Sequence, residues 1–589
     1  MYKNVYYDRR SSTIHLWDDY EGYAHFKFRP YGYVKDDNGE YESIYGDKLS
    51  KIAYPNKDEH SELFESDVQP ITRTLIDLYT ESDELSEGNV VLTFDIEVEM
   101  DTGLPNPMEG NNEITAIGGH DSLSNEYFVY ILDKEQLLTE RFTEIDGRTV
   151  HIKPFNNEKN LLQTFINKYQ EINPDIITGW NIDFFDVPYL YNRLRNVLGE
   201  RQANNLSPIG VVNYHKFRKV YQIAGVSCLD YMMLYKKFTY NELDNYRLDT
   251  VGKLEIGKGK IEYEGSLDDL FKNDINKFIE YNLVDVDIVV GLDKKLDFID
   301  LARGICHIGH ISYEDIVFSS RYLEGAILTY LKRKGKIAPN KKYQAYEEDT
   351  VKFTGAFVKQ PIPGKYDWIF DLDLTSLYPS IIMSLNISPE TKMGVIQNFD
   401  LEKYLKEEDN DYELNGQPVT VSEIQQLLTK FNFSISPNGV IYDLDKEGCI
   451  PDILNTWFGT RVEYRKLEKK YGNSGDEEKY QFYKKRQLIQ KILLNSLYGV
   501  LGLQNWRFFD LDNAEAVTTT GVEVIKATAK AASRKYSKEL GNQFFLDMDN
   551  GTTIKMYSNN VVNVKRNNVL LTIPASELED GDDLILPKT

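Results

Sequence analysis

The chain has 589 residues, too many for one hydrophobic core, so roughly three to four domains are expected. A hydrophobic content of 41% and an aromatic content of 13% exclude a disordered chain, and three widely spaced cysteines (Cys228, Cys306, Cys449) point away from a disulfide framework or a Cys-based zinc site. The net charge of −25 taken alone argues against a nucleic-acid partner. It averages over surfaces that never meet such a partner, however, and carboxylates that hold metal ions invert the local sign. Basic segments do occur, at Arg461–Lys470 and Lys484–Lys491. No apolar run follows Met1 and no stretch of about 18 apolar residues appears, so neither secretion nor a membrane span is expected, and the cysteine usage suits a reducing interior.

Residues 1–88 alternate short aromatic runs with polar turns and read as a small β-rich domain without a chemical motif. Val90–Glu97 is an apolar strand with Asp95 and Glu97 on one face. Two carboxylates on one face of a buried strand repel each other unless a cation lies between them. Asp175–Asp186 reads as strand, turn and helix start, with Asp186 in the first turn before Pro188. Tyr281 and Asp285 are four apart and share a helix face; Asp287 falls on another face and is expected to be solvated. Residues 299–343 look helical, end in a basic run, and are expected to return to the N-terminal domain.

Tyr366–Phe370 reads as a buried strand leading into Asp371-Leu-Asp373, whose two aspartates share a face, and Pro379 suits the first turn of a helix opened by Tyr378. An acidic strand end at the surface has the same pattern. Residues 401–429 are charged, polar and helix-prone, with no assignable chemistry. Ile450-Pro451 opens a long helix carrying Arg461 and Arg465 on one face. Tyr471–Asp476 is expected to break it, and a second helix from about Glu477 to Tyr498 places Lys484, Leu488, Lys491, Asn495 and Tyr498 on one stripe. Such a helix pair makes a triphosphate clamp, or simply a solvated basic surface.

Three segments together, Val90–Glu97, Asp175–Asp186 and Tyr281–Asp285, resemble the motifs of the DEDDy group of 3′–5′ exonucleases. The resemblance implies that Asp95, Glu97, Asp186 and Asp285 bind two Mg²⁺ ions, for which Mn²⁺ substitutes, and that Tyr281 orients the attacking water. Asp371–Ile382 resembles the first palm motif of family B DNA polymerases. It implies that Asp373 and the main-chain carbonyl of Leu374 hold two Mg²⁺ ions, and that Ser376, Leu377 and Tyr378 meet the incoming nucleotide, with Tyr378 excluding ribose. Lys491–Gly499 resembles the second polymerase motif, implying that Lys491 and Arg461 grip the triphosphate while Asn495 and Tyr498 line the nascent base pair. Thr354–Lys359 is similar to the family's linker between exonuclease and polymerase. The likeness covers roughly residues 1–540, and Thr178–Asn181 with Asn386–Thr391 resemble the replicative polymerases of T-even-type bacteriophages.

The fold implied is a multidomain α/β one: a ribonuclease-H-like exonuclease domain with a right-hand palm and fingers. Its expected parts are a β-rich domain at 1–88 with a return at 299–343, the exonuclease at 89–298, palm at 344–447 and 499–545, fingers at 448–498, and a tail at 546–589. Departures from the family are specific. The third motif, Tyr-Gly-Asp-Thr-Asp-Ser, and the thumb are missing from these residues. The nearest candidate is Leu546–Gly551, whose Asp547 and Asp549 lack the flanking Tyr-Gly, Thr and Ser, and Asp-Asn-Gly is also an ordinary hairpin turn. Ala575–Asp582 is similar to part of the Hint fold of inteins; a small β appendage that docks a partner is the alternative.

The expectation is therefore one chain of a split DNA-directed DNA polymerase with a proofreading exonuclease, replicating a phage genome in the cytoplasm of the infected bacterial host. Its expected partners are primer-template and single-stranded DNA, deoxynucleoside triphosphates, a C-terminal chain bearing the third motif and thumb, a sliding clamp and a single-strand-binding protein, and no membrane. A free-standing exonuclease and a non-catalytic assembly subunit are the competing readings.

Overall fold

The computed structural model describes all residues except 57, 102, 146, 240–241, 343–354, 359, 361–362, 365–372, 541–542, 548–552, 558–560, 567–568, 575–582 and 585–589, and beyond 532 it describes backbone alone, Arg566 excepted. The expected strand Tyr366–Phe370 with Asp371, part of Thr354–Lys359, the turn containing Asp549, and Ala575–Asp582 lie outside the described residues. Packing divides the chain into two units, residues 1–346 with 448–510, and 347–447 with 511–589.

The first unit is centred on a seven-stranded mixed sheet. Its strand order is Arg141–Ile145, Arg148–Phe155, Glu126–Leu132, Ile114–Asp121, Val91–Val98, Ile176–Thr178, Ser227–Cys228. Val91–Val98 runs antiparallel to Ile114–Asp121 and parallel to Ile176–Thr178. Its period of two sorts its side chains between the faces. Leu92, Phe94, Ile96 and Val98 enter a core with Leu161, Leu162 and Phe165 of helix Glu158–Ile172 and Tyr189, Leu190 and Leu194 of helix Asp186–Leu198. On the other face lies a second core, built with Phe278, Ile279, Leu283 and Val286 of helix Ile275–Leu296.

That helix is buried from Tyr281 through Val289 without interruption, so it has no solvated face in this stretch. Asp287 is consequently buried, contrary to the sequence expectation; it accepts from Tyr127 Oη (3.0 Å) and pairs with Lys258 (2.7 Å) and Arg148.

The N-terminal residues form a three-stranded antiparallel sheet (Tyr2–Asp8, Thr13–Asp18, Gly22–Lys27) and a second, four-stranded one. Lys336–Ile337 joins the latter by pairing in parallel with Tyr41–Ser43. Helices Phe298–Gly309 and Ser319–Arg333 cross where a Cβ on Gly325 would overlap the carbonyl oxygen of Gly309. Against them packs a helical hairpin, Cys449–Ser474 and Glu477–Leu501. Ile489 fills the space over Gly304, Tyr322 Oη bonds Ser496 Oγ (3.0 Å), and Lys485 pairs with Asp300 (2.9 Å). The first of these helices runs through Tyr471 and Gly472, further than expected. It ends at Gly475, whose φ of 74° supplies the left-handed cap. Buried Arg507 ties the unit's edges together through Glu324 (2.9 Å) and Asp67 (2.7 Å).

The second unit contains helix Leu377–Leu385, a five-stranded antiparallel sheet centred on Lys392–Gln397, and the 30-residue helix Leu511–Leu540. Asn386, at φ 59°, ends the first helix and donates to the carbonyl oxygens of Asp443 and Lys446 (2.7 Å for the latter). Strands Gln543–Asp547 and Thr553–Tyr557 pair antiparallel, and Val561–Arg566, Val569–Pro574 and Asp583–Leu584 form a three-stranded sheet. Among the described residues, no helix is long and apolar enough to cross a membrane.

Candidate active site

Strand Val91–Val98 turns Asp95 and Glu97 toward helix Ile275–Leu296, because both lie opposite in phase to the apolar set Phe94, Ile96 and Val98. That helix brings Tyr281 and Asp285 from one face, one turn apart. One carboxylate oxygen from each of Asp95, Glu97 and Asp285 lies within 4.8 Å of the others. Asp186 is not within that set. It sits at the first residue of its helix, and its Oδ1 accepts the N–H of Ile96 (3.1 Å), which ties it to the strand between the two acids.

Burial pushes the carboxyls of Asp95 and Glu97 well above the usual range, and the neighbouring acids add to it: Glu97, Asp186 and Asp285 for the first, Asp285 and Asp186 for the second. Asp186 is raised to about 7, chiefly by burial, and Asp285 is raised for the same reason. Among the described residues, one cationic side chain answers these four acids. Lys260 Nζ bonds Asp285 Oδ2 and the Tyr281 hydroxyl (3.2 Å). Burial alone would lower its pKa, but Asp285, Tyr281 and Asp95 raise it, so it stays charged. Asp285 Oδ1 is buried and has no hydrogen-bond partner among the described residues.

An acceptor left in that state is costly unless a further group meets it. Closely spaced oxygens with excess negative charge are the donor set of a hard divalent cation, so these residues fit one. Sequence reasoning missed Lys260, which reaches the site from a loop with no motif, and Asn282. The Asn282 Nδ2 donates to Asp95 Oδ2 (2.9 Å).

The remaining candidates fall in two places. Asp373, Leu374, Ser376, Leu377 and Tyr378 belong to the second unit. Asp373 is exposed, and Ser376, at φ 52°, turns the chain into helix Leu377–Leu385. Pro379 is buried in the first turn, where its missing N–H costs nothing. The Tyr378 ring lies over Gly521 of the long helix: a Cβ there would come 3.1 Å from Tyr378 Cε1. Arg461, Lys491, Asn495 and Tyr498 belong to the first unit, on the two helices of the hairpin. Asn495 is exposed and the other three are partly buried.

An acid cluster with the composition of a cation site thus lies between an interior strand of a mixed sheet and helix Ile275–Leu296, an arrangement compatible with metal-assisted chemistry. Comparison with known proteins narrows it. Residues 65–251 match the model of the family "DNA polymerase family B, exonuclease domain", and residues 318–563 match "DNA polymerase family B". The DNA-directed DNA polymerase of Escherichia phage RB69 is 31% identical over 503 residues, covering 73% of this chain and 53% of that one. That of Enterobacteria phage T4 is 31% identical over 523 residues, covering 77% and 56%. The DNA polymerase catalytic subunit of Alcelaphine herpesvirus 1 is 26% identical over 461 residues, covering 74% and 41%. The chain belongs to DNA polymerase family B. It spans about half the length of the phage relatives. The exonuclease match takes in Asp95, Glu97 and Asp186 but stops before Tyr281 and Asp285, the second of which folding returns to the side of Asp95 and Glu97.

Proposed function

We propose that the chain removes nucleotides from the 3′ end of single-stranded DNA at the Asp95–Glu97–Asp285 cluster. We further propose that it contributes the nucleotide-binding part of a DNA-directed DNA polymerase replicating a phage genome. The observation that carries the first half is the convergence of three carboxylates within 4.8 Å, one of them Asp285, whose Oδ1 is buried without a hydrogen-bond partner among the described residues.

Asp95, Glu97 and Asp285, with Asp186 beside them, would hold the Mg²⁺ (or Mn²⁺). When bound, the metal polarises the scissile phosphate and stabilises the attacking and leaving oxygens. The chain's own groups do the rest. Tyr281 keeps its phenolic proton, since burial and the nearby Asp285 raise its pKa, and so donates toward an attacking water. Lys260 fixes the Tyr281 hydroxyl and offsets one of the four negative charges. In synthesis, Asp373 and the Leu374 carbonyl bind the metals, Ser376, Leu377 and Tyr378 receive the sugar, and Arg461, Lys491, Asn495 and Tyr498 receive triphosphate and base.

A second chain bearing the third motif completes that site. This reading is supported by the composition of Leu546–Gly551, which carries Asp547 and Asp549 without the motif's Tyr-Gly, Thr and Ser. Primer-template DNA, deoxynucleoside triphosphates, a clamp and a single-strand-binding protein are the further partners proposed.

The test is degradation of a 3′-labelled single strand with Mg²⁺ or Mn²⁺. The wild-type chain is expected to shorten it, and Asp95→Ala combined with Glu97→Ala to slow it by orders of magnitude. Wild-type rates in that double variant would overturn the assignment. Primer extension by the 589-residue protein, with and without a candidate second chain, tests the other half; robust synthesis without it would return Asp547 and Asp549 to the metal site.

A further inference from the structure

Asn282 is fully buried beside the acid cluster, one residue past Tyr281 on helix Ile275–Leu296. Its Nδ2 donates to the Asp95 side chain (Oδ2, 2.9 Å) and approaches the Asp95 carbonyl oxygen (3.4 Å). Its Oδ1 is buried with no hydrogen-bond partner among the described residues. The amide therefore forgoes one of its two ends to keep the other on Asp95. In the ionised form that a cation requires, Asp95 only accepts, so a flipped amide would then set oxygen against oxygen.

Room for this arrangement comes from the neighbouring strand. Gly118 is the residue paired with Asp95 across the ladder, and a Cβ there would overlap Asn282 Oδ1 and lie 3.0 Å from its Cγ. Any other residue at 118 would push the amide off the carboxylate.

Building on the nuclease reading above, we infer that Asn282 is a positioning residue: with the clearance left by Gly118, it fixes the rotation of the Asp95 carboxylate so that Asp95 meets a divalent cation together with Glu97 and Asp285. A carboxylate free to rotate spends only part of its time in the orientation that shares an ion, whereas one held by a buried amide is already in place. Groups that orient metal ligands in this way are typically worth about 10–100-fold in metal affinity or activity.

The test measures Mn²⁺ binding to the full chain without DNA, by calorimetry or by the paramagnetic signal of free Mn²⁺. Asn282→Ala is expected to weaken binding by roughly 10-fold or more. Gly118→Ala, which crowds the amide (and, at 3.3 Å, Val286 Cγ2) from the neighbouring strand without changing the helix sequence, is expected to act in the same direction. In an Asp95→Ala background, Asn282→Ala is expected to add no further loss, because its effect passes through Asp95; a merely architectural role would give additive losses. A wild-type affinity in both single variants, or full additivity in the double variant, overturns the inference while leaving the nuclease reading standing. Absence of any Asp95-dependent Mn²⁺ binding in the wild-type chain overturns both.

Discussion

Burial governs the protonation of acidic side chains at several places around the central sheet, and Glu314 makes the effect measurable. Its carboxyl is raised to about 7 by burial, with Asp315 and Asp183 adding to the shift and Arg218 opposing it. The proton-bound form is the one the fold prefers. That preference stabilises fully below the unfolded value near 4.5 and is lost as pH rises through about 7. Glu314→Gln, which needs no proton, is expected to match the wild type at pH 5 and exceed it at pH 8 by on the order of 1–3 kcal/mol, read from urea denaturation.

At the proposed synthesis site, Tyr378→Ala is expected to raise ribonucleotide incorporation by the completed polymerase several-fold or more while sparing much of the deoxynucleotide rate; unchanged discrimination would count against its role. At this scale, legibility followed sequence distance. Asp95 with Glu97 and Tyr281 with Asp285 are visible because strand and helix periods place each pair on one face. Lys260 and Asn282 are not, since one arrives on a patternless loop and the other depends on Gly118 standing opposite Asp95.

Among elements, helices Phe298–Gly309 and Ser319–Arg333 cross with no room for a side chain at Gly325, in the support beneath the helical hairpin. Gly325→Ala drives a methyl into the Gly309 carbonyl, and overpacking of this kind costs about 1–3 kcal/mol. The expected outcome is a lower urea midpoint with an unchanged slope. Asp287 shows burial overriding the one-faced pattern of a helix. A single-faced helix would leave it in water, but Ile275–Leu296 is covered all round, so Lys258 and Arg148 had to be brought in as partners. The hairpin turn was placed too early for a related reason. Gly472 and Ser474 are weak helix formers, yet the helix runs through them to Gly475, whose left-handed conformation supplies the stop.

For the whole molecule, the acid cluster couples stability to cations. Burial raises Asp95, Glu97, Asp186 and Asp285, and for the first two the neighbouring acids of the cluster add to it, so without a cation the fold favours their protonated forms and loses that stabilisation as pH rises. A cation needs them ionised. The rise in Tm on adding Mn²⁺ is therefore expected to be larger at pH 8 than at pH 5.5, on the order of 1–3 °C at saturating ion, and to vanish in the Asp95→Ala, Glu97→Ala variant.

The chain passes between its two units at 346/347, 447/448 and 510/511, so the first unit is not one continuous stretch. This has a consequence for synthesis on the ribosome. The face of helix Ser319–Arg333 that receives the helical hairpin emerges well before Leu501, the last residue of that hairpin. At about 5–20 residues per second, the gap lasts roughly 10–30 s. During that interval the apolar ground around Gly304, later covered by Ile489, stays open to water.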